Sequence, residues 1–362
     1  MESKVFFSSM QIKNHESLLD RLERLVKAAG INGIDFQNKF VAIKIHFGEP
    51  GNLAYLRPNY ARRIVSIVKS LGGKPFLTDC NTLYVGRRKN ALEHLSAAME
   101  NGYNYFQTDC HVIIADGLRG TDEALIDING QFVKTAKIGR AIADSEIIIS
   151  MNHVKGHGLA GFGGALKNLG MGCGSRAGKH EMHSSGKPFV RQDKCKACLA
   201  CIKNCASNAI SLVNGKALIN QAICVGCGRC IGVCNYDAVK VDWNEGSIKM
   251  NQKIAEYAWA VVKDKPHFHI NFIIDVSPDC DCEASNNVPI INNIGFLASF
   301  DPVALDQASA DLINQVPMIN DYPNQHQDHF KSINPNTSWE AGLDHAEKVG
   351  LGSRSYQLIE VK

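Results

Sequence analysis

Two periodicities alternate along the chain. Leu18, Leu19, Leu22, Leu25 and Val26 recur at helical spacing, with Gly30 as a stop. Phe40–Phe47 then reads as a buried strand. The same alternation predicts a helix over Tyr60–Leu71 closed by Gly72-Gly73, a strand over Lys74–Asp79, a helix over Asn90–Met99 and a strand over His111–Ala115. Leu125–Ile128 and Phe132–Thr135 flank Asn129-Gly130, which predicts a hairpin, followed by a helix over Ala136–Ala143 and a strand over Glu146–Met151. Further on, Met250–Val262 and Pro302–Ile313 have the helical period, and His269–Val276, Gly295–Phe300 and Tyr356–Val361 have strand character. Strands alternating with helices predict a layered α/β fold with a largely parallel sheet.

Between about 187 and 244 this pattern breaks, and eight cysteines appear in two identical runs. The first is Cys195, Cys198, Cys201, Cys205; the second is Cys224, Cys227, Cys230, Cys234, each 29 residues after its counterpart. The spacing C-x2-C-x2-C-x3-C, used twice, is that of a two-cluster bacterial ferredoxin. A tight turn offers three thiolates to three corners of a 4Fe–4S cube, and the fourth corner needs a distant cysteine. Interleaving gives Cys195, Cys198, Cys201 and Cys234 to one cluster and Cys224, Cys227, Cys230 and Cys205 to the other. Zinc is the competing reading of CxxC pairs, but two triplets at x2 spacing leave surplus thiolates beside each ion. Ala206 and Asn235 stand where such runs usually have Pro, which alters the turn but not ligation. The chain therefore divides into 1–186, an inserted ferredoxin-like 2×4Fe–4S module at 187–244, and 245–362. In the module each ligand loop and short helix precedes a strand, Ala209–Val213 and Ala238–Trp243. So small a unit has little apolar core and leans on its clusters for stability.

A second chemical region, residues 151–183, follows the strand ending at Met151, where open α/β sheets place ligands. His153, Lys155, His157 and Lys167 are its candidate substrate or catalytic contacts, and Gly161, Gly163 and Gly164 permit close backbone approach to a cofactor. A flexible lid or packing loop is the plainer alternative. The Walker A template fails, since Cys173 and His180 occupy required Gly and Ser/Thr positions, and the dinucleotide fingerprint is incomplete. His153-x3-His157 has helical ligand spacing, yet Gly156 and Gly158 argue against a helix. Cys280-x-Cys282 suits a metal site completed by a histidine or Cys173, a dithiol, or a polar turn. Cys80 and Cys110 read as buried thiols. His46 and Glu49 can supply acid–base groups or be loop residues, and Asp301 before Pro302 fits an N-cap, with Asp306 a second capping candidate.

Composition narrows the function. With 362 residues, 45% hydrophobic and 21% charged, the chain is a soluble globular protein of about two domains' length. A net charge of +3 is too small to suggest nucleic acid, and no apolar stretch approaches a membrane span. Thirteen cysteines without an export signal point to a reducing cytoplasm. The module has eight basic against three acidic residues over 187–243, a surplus that offsets the negative charge of two clusters or docks an acidic partner.

The His153-Val-Lys-Gly-His157 and Gly163-Gly-Ala-Leu-Lys-Asn-Leu-Gly170 segments, the cysteine block, Asp279-Cys-Asp-Cys282 and Ala298-Ser-Phe-Asp-Pro-Val-Ala-Leu-Asp306 together resemble the Fe–S-center proteins built on domain of unknown function 362. The resemblance spans about Val41 to Asp311 and implies an α/β domain bearing a 2×4Fe–4S module in a prokaryotic protein. Asn293 stands where that family more usually has Asp. More loosely, the glycine loop with its histidines and lysines is similar to that of the nickel-pincer racemases, whose cofactor is not carried over. The leading expectation is an iron–sulfur electron-transfer protein or oxidoreductase, with a redox partner protein and a small-molecule substrate. An iron–sulfur or metal-handling maturation factor and a binding module with structural clusters are the alternatives.

Overall fold

The computed structural model describes residues 2–11, 15–84, 86–183, 187–205, 207–224, 228–240, 246–322 and 326–362. Eight strands form the central sheet. Their spatial order is Tyr356–Glu360, Ser3–Ser9, Gly295–Ser299, His267–Ile273, Ile147–His153, Phe40–Lys44, Lys74–Asp79, Val112–Ile114. Gly295–Ser299 runs against both neighbours, and every other pairing in this sheet is parallel. This is a mixed, mostly parallel sheet covered by helices, the α/β fold that the alternating pattern predicts. Among the described residues no helix is long and apolar enough to cross a membrane.

Both faces of the sheet are covered, which explains the unbroken apolar runs in its inner strands. Ile147, Ile149 and Met151 point to one core with Leu22, Leu25, Ile64, Val68 and Ala98 from the helices Leu18–Ala28, Pro58–Ser70 and Ala91–Glu100. Ala42, Ile148 and Leu297 point to the other, with residues of helices Ala165–Cys173, Ser247–Val262, Pro302–Asn314 and Glu340–Lys348. Several helices start on side-chain caps. Ser17 accepts from the Asp20 N–H, Asn90 from that of Glu93, and Asp301 from those of Val303 and Ala304, with Pro302 at the first turn as its sequence predicts.

The second face carries a buried polar line where apolar contacts would be expected. Asp79 pairs with Lys44 Nζ at 3.1 Å, and Lys44 donates to Asn168 Oδ1 at 2.6 Å. Asn168 donates to Asn152 Oδ1 (2.7 Å), Asn152 to Asn271 Oδ1 (2.9 Å) and Asn271 to Asp306 Oδ1 (2.8 Å). The line ends at helix Ala165–Cys173, where Asp306 accepts from the Ala165 (2.6 Å) and Leu166 (2.9 Å) N–H groups. Asp306 thus caps a helix other than its own. A Cβ on Gly164 would lie 2.2 Å from Asp306 Oδ1, so only glycine admits the carboxylate there. Likewise a Cβ on Gly170 would lie 2.1 Å from the Ile254 carbonyl, where this helix crosses Ser247–Val262.

Some local expectations give way to tertiary contacts. The strands Glu123–Asp127 and Thr135–Gly139 pair antiparallel, the hairpin expected about Asn129-Gly130, although the loop between them is longer than the flanking runs suggest. The loop is shaped by buried Glu256, which accepts N–H bonds from Gln131 (2.7 Å) and Val133 (2.6 Å) and lies 2.8 Å from His345 Nε2. The helix predicted over 136–143 is accordingly strand in its first half, and helix begins only at Arg140, running to Asp144. The strand predicted over Phe40–Phe47 stops at Lys44. Ser3–Ser9 and helix Glu340–Lys348 have no counterpart in the sequence reading.

Residues 187–240 have their own apolar cluster, including Ile210, Ala217, Ile219, Ile231, Val233 and Val239 with Cys195, Cys201, Cys230 and Cys234. Two small ribbons, Phe189–Val190 with Val239–Lys240 and Ile210–Val213 with Lys216–Ile219, frame it. The remainder of the predicted strand Ala238–Trp243 lies outside the described residues. The 29-residue repeat extends to backbone conformation. One-turn helices occupy Ala200–Lys203 and Arg229–Gly232, and left-handed residues precede them at Leu199 (φ 63°) and Gly228 (φ 72°). Asn208 (φ 52°) and Asp237 (φ 51°) match in the same way.

Asp306→Ala strips two helix amides and Asn271 of their acceptor. The expected loss is roughly 2–4 kcal/mol of unfolding free energy by urea titration. A change under about 0.5 kcal/mol would show that the polar line is dispensable.

Candidate active site

Strand Ile147–His153 delivers His153 to the carboxyl end of the sheet. The chain then forms a small hairpin, Lys155–His157 paired with Gly161–Gly163, before entering helix Ala165–Cys173. The loop that follows His267–Ile273 returns over this hairpin carrying Cys280-Asp281-Cys282. Between them lies a cavity of about 690 Å³. His46, Tyr84, Arg88, His153, Lys155, His157, Lys167, Cys280 and Cys282 are in its wall. The four predicted catalytic candidates, His153, Lys155, His157 and Lys167, therefore converge there. Gly163 and Gly164 also border the cavity, whereas Gly161 packs on Thr337 and Trp339. The helix start that these glycines open is occupied by the protein's own anion, Asp306.

Asp281 organises the floor. Fully buried, it lies 2.8 Å from His153 Nδ1 and accepts from Lys155 Nζ at 2.6 Å, while His153 Nε2 lies 2.8 Å from the Ile274 carbonyl. Both His153 nitrogens thus face acceptors, which makes this ring a structural donor. Burial alone would raise the Asp281 carboxyl, but His153 and Lys155 overcome it and hold the acid below its ordinary range.

The two cysteines turn the other way, into the cavity. Cys280 Sγ accepts from the Cys282 N–H (3.4 Å) and from Lys167 Nζ (3.7 Å). A hydrogen bond from the Cys282 thiol, with Lys167, His157 and Lys155 acting against burial, holds the Cys280 thiol well below its ordinary range. The same bond and burial push Cys282 well above its own. His157, Cys280 and Cys282 offer three ligand atoms within 4.8 Å of one another, the one such group among the described residues. Cys173 is not its partner: it lies in the core, its carbonyl 3.3 Å from Cys80 Sγ, and burial pushes its thiol up to about 12. Cys110 is likewise buried, its thiol pushed up to about 11.

A second wall joins His46 and Glu49, both singled out in the sequence, to residues that were not. Arg88, buried, donates to Glu49 Oε2 (2.8 Å) and to the Tyr84 hydroxyl (3.1 Å), and lies 3.0 Å from His46 Nε2 and 3.7 Å from Asp79 Oδ2. Glu49 is thus committed to Arg88, and burial followed by Arg88 pushes His46 well below its ordinary range, which keeps the ring neutral. Tyr84 and Arg88, the unforeseen residues, come from the segment between strand Lys74–Asp79 and helix Ala91–Glu100, which has no periodicity. Its position after a parallel strand end was the available signal.

In the module, Cys195, Cys198 and Cys201 of the first repeat and Cys234 of the second border one small apolar cavity. Backbone N–H groups point at the sulfurs: Ala217 to Cys195 (3.4 Å), Ala209 to Cys205 (3.2 Å) and Ala238 to Cys234 (3.3 Å). Cys205, Cys224 and Cys230 belong to the same unit, and Cys227 lies outside the described residues. Leu83 joins the two regions, packing in the module's apolar cluster and bordering the Cys280–Cys282 cavity. Ion pairs Lys89–Asp237 and Arg229–Glu123 (3.3 Å) flank this junction.

Asp281→Leu leaves His153 and Lys155 buried without their anion, and a loss of roughly 3–5 kcal/mol is expected by chemical denaturation. Adding Lys155→Met should recover part of it. No recovery would mean that the carboxylate acts through His153 alone.

No protein of curated function matches the chain. Among solved structures, the lactate racemase apoprotein from Thermoanaerobacterium thermosaccharolyticum matches 75% of this chain and 51% of its own at 13% identity, with a TM-score of 0.41. A crystal structure of a protein from Thermotoga maritima matches 83% of this chain and 58% of its own at 11% identity, with a TM-score of 0.44. The chain thus spans little more than half the length of the structures it matches. Residues 41–311, which include both the cavity and the cysteine block, match the domain of unknown function DUF362, and the chain belongs to that family.

Proposed function

We propose that the protein is an iron–sulfur electron-transfer protein or oxidoreductase, in which residues 187–244 form a two-cluster ferredoxin-type insert serving the Cys280–Cys282 cavity. The observation that carries this reading is the convergence of Cys195, Cys198 and Cys201 with Cys234 of the other repeat on one cavity. Spacing favours a cage over a single ion. Zinc held by ~2.3 Å bonds needs sulfurs about 3.8 Å apart, and among the described residues no three module sulfurs lie within 4.8 Å of one another. These four cysteines would hold one 4Fe–4S cluster, and Cys224, Cys227, Cys230 and Cys205 the other. When bound, such clusters supply one-electron transfer. The chain's own residues do the rest. Backbone N–H groups stabilise the thiolates, the basic surplus of the module offsets negative charge, and Leu83 holds the module against the cavity. The cavity suits a small molecule, with Lys167 at its wall. A redox partner protein would deliver electrons, and a reducing cytoplasm would suit thirteen cysteines. A metal-handling role, the second reading, would rest on the proximity of His157, Cys280 and Cys282 alone.

Oxygen-free material should contain about eight iron and eight acid-labile sulfide per chain and give paramagnetic signals after dithionite. Colourless protein without them would end the proposal. Cys195→Ser and Cys234→Ser should each remove about half the iron, and the double variant no more than either, because both serve one cluster. Complete loss in the double variant would assign them to different clusters. Chelation should expose residues 187–240 to protease before the α/β sheet. Simultaneous cleavage throughout would show that the module does not depend on its metal.

A further inference from the structure

The Cys280-Asp281-Cys282 loop brings two thiols to the wall of an open cavity under opposite conditions. Cys280 is surrounded by donors: the Cys282 N–H at 3.4 Å, Lys167 Nζ at 3.7 Å and a hydrogen bond from His157. Among the described residues, Lys167 Nζ has no hydrogen-bond partner besides this sulfur. Such surroundings favour a thiolate. Cys282 lies beside it, next to Tyr84 and within the field of Arg88.

The orientation of His157 decides between a metal site and a reactive thiol. Its Nδ1 accepts from the backbone N–H groups of Leu159 (3.1 Å) and Ala160 (3.0 Å). The ring proton is therefore on Nε2, where it donates to Cys280. A metal-ligating histidine has the reverse arrangement, its second nitrogen donating to an acceptor. Ligation through Nε2 here would require a ring without any proton.

We infer that Cys280 and Cys282 are a redox-active dithiol, with Cys280 as nucleophile, which reduces small disulfides admitted to the cavity. The Cys280 thiolate attacks one sulfur of the substrate disulfide, forming a mixed disulfide and releasing the first thiolate. Deprotonated Cys282 then attacks the Cys280 sulfur, releasing the second thiolate and closing the Cys280–Cys282 disulfide. The two thiol protons go to the two released thiolates, so one disulfide is reduced as another forms. Restoring the dithiol takes two protons from solvent and two electrons, delivered one at a time by a low-potential donor, and this half rests on the function proposed above, in which the module is that donor. The sulfurs already lie within 4.8 Å of each other, against the roughly 2.05 Å of a disulfide bond.

The test uses the full chain, prepared without oxygen, with thiols trapped by iodoacetamide and the peptide bearing both cysteines resolved by mass. At pH 7, Cys280 should react at least about tenfold faster than Cys282, and Lys167→Met should slow it about five- to tenfold. Oxidised glutathione should yield the peptide lighter by two hydrogens, and Cys282→Ser should instead accumulate a glutathione adduct on Cys280. If that variant does not fold, the Lys167→Met rate carries the test. Equal slow alkylation, failure to form the disulfide, or protection relieved only by a chelator would overturn the dithiol, the last by revealing a metal. Iron content, read on the same sample, separates the two halves. Inert thiols beside intact clusters overturn the dithiol alone, and reactive thiols without iron remove only the proposed electron source.

Discussion

A carboxylate buried at the start of a helix governs the geometry of this protein. Asp306 must sit within hydrogen-bond reach of the Ala165 and Leu166 amides, and everything on the cavity side of the sheet follows from that demand. Burial pushes its carboxyl up to about 6, so the group is ionised at neutral pH while the amides and Asn271 compensate its charge. Gly164 is there to let it approach. The asparagines at 152, 168 and 271 extend the constraint across the sheet to Lys44 and Asp79. Apolar packing tolerates small slips, but a line of directional hydrogen bonds fixes register. Helix Ala165–Cys173 is thereby locked in height and rotation, and Lys167 on its first turn meets Cys280 as a result.

The opposite wall is fixed by a similar device at smaller scale. In Cys280-Asp281-Cys282 the middle side chain points into the protein and the outer two into the cavity. Asp281 is clamped by Lys155 and His153, so the loop that carries the sulfurs is tied to the strand end beneath it. Below, charge is paired by a carboxylate; above, among the described residues, Lys167 faces only a sulfur. The division gives the floor stability and leaves Lys167, His157 and the two sulfurs available for chemistry.

Much of this was legible in the chain because it depends on local pattern. The inner strands announce themselves as apolar runs, Asp301-Pro302 announces a capped helix, and the cysteine spacing announces a repeat that even the left-handed residues obey. His153, Lys155, His157 and Lys167, which line one cavity, were singled out because they follow a strand end in a glycine-rich stretch. What stayed hidden depends on partners far away in sequence. Glu256 reshapes the 128–134 loop from more than a hundred residues off, and no turn signal in Asn129-Gly130 could reveal it. Arg88, Tyr84 and Asp79 lacked a motif. Asp281 was visible as a letter between two cysteines, but its inward role required the fold. Tyr356–Glu360 was expected as a strand, but its partner Ser3–Ser9 escaped notice, partly because its outer face is polar enough to blur the strand period.

That last pairing sets an order of assembly. Ser3–Ser9 is an interior strand, yet its neighbours are Gly295–Ser299 and Tyr356–Glu360, so it must wait for nearly the whole polypeptide before its edges are satisfied. Contacts of such long sequence separation form late. The cysteine repeats, by contrast, close on themselves within some fifty residues and emerge from the ribosome well before the sheet can be completed. During biosynthesis a nascent chain would therefore present the complete pair of cysteine repeats beside an unfinished sheet.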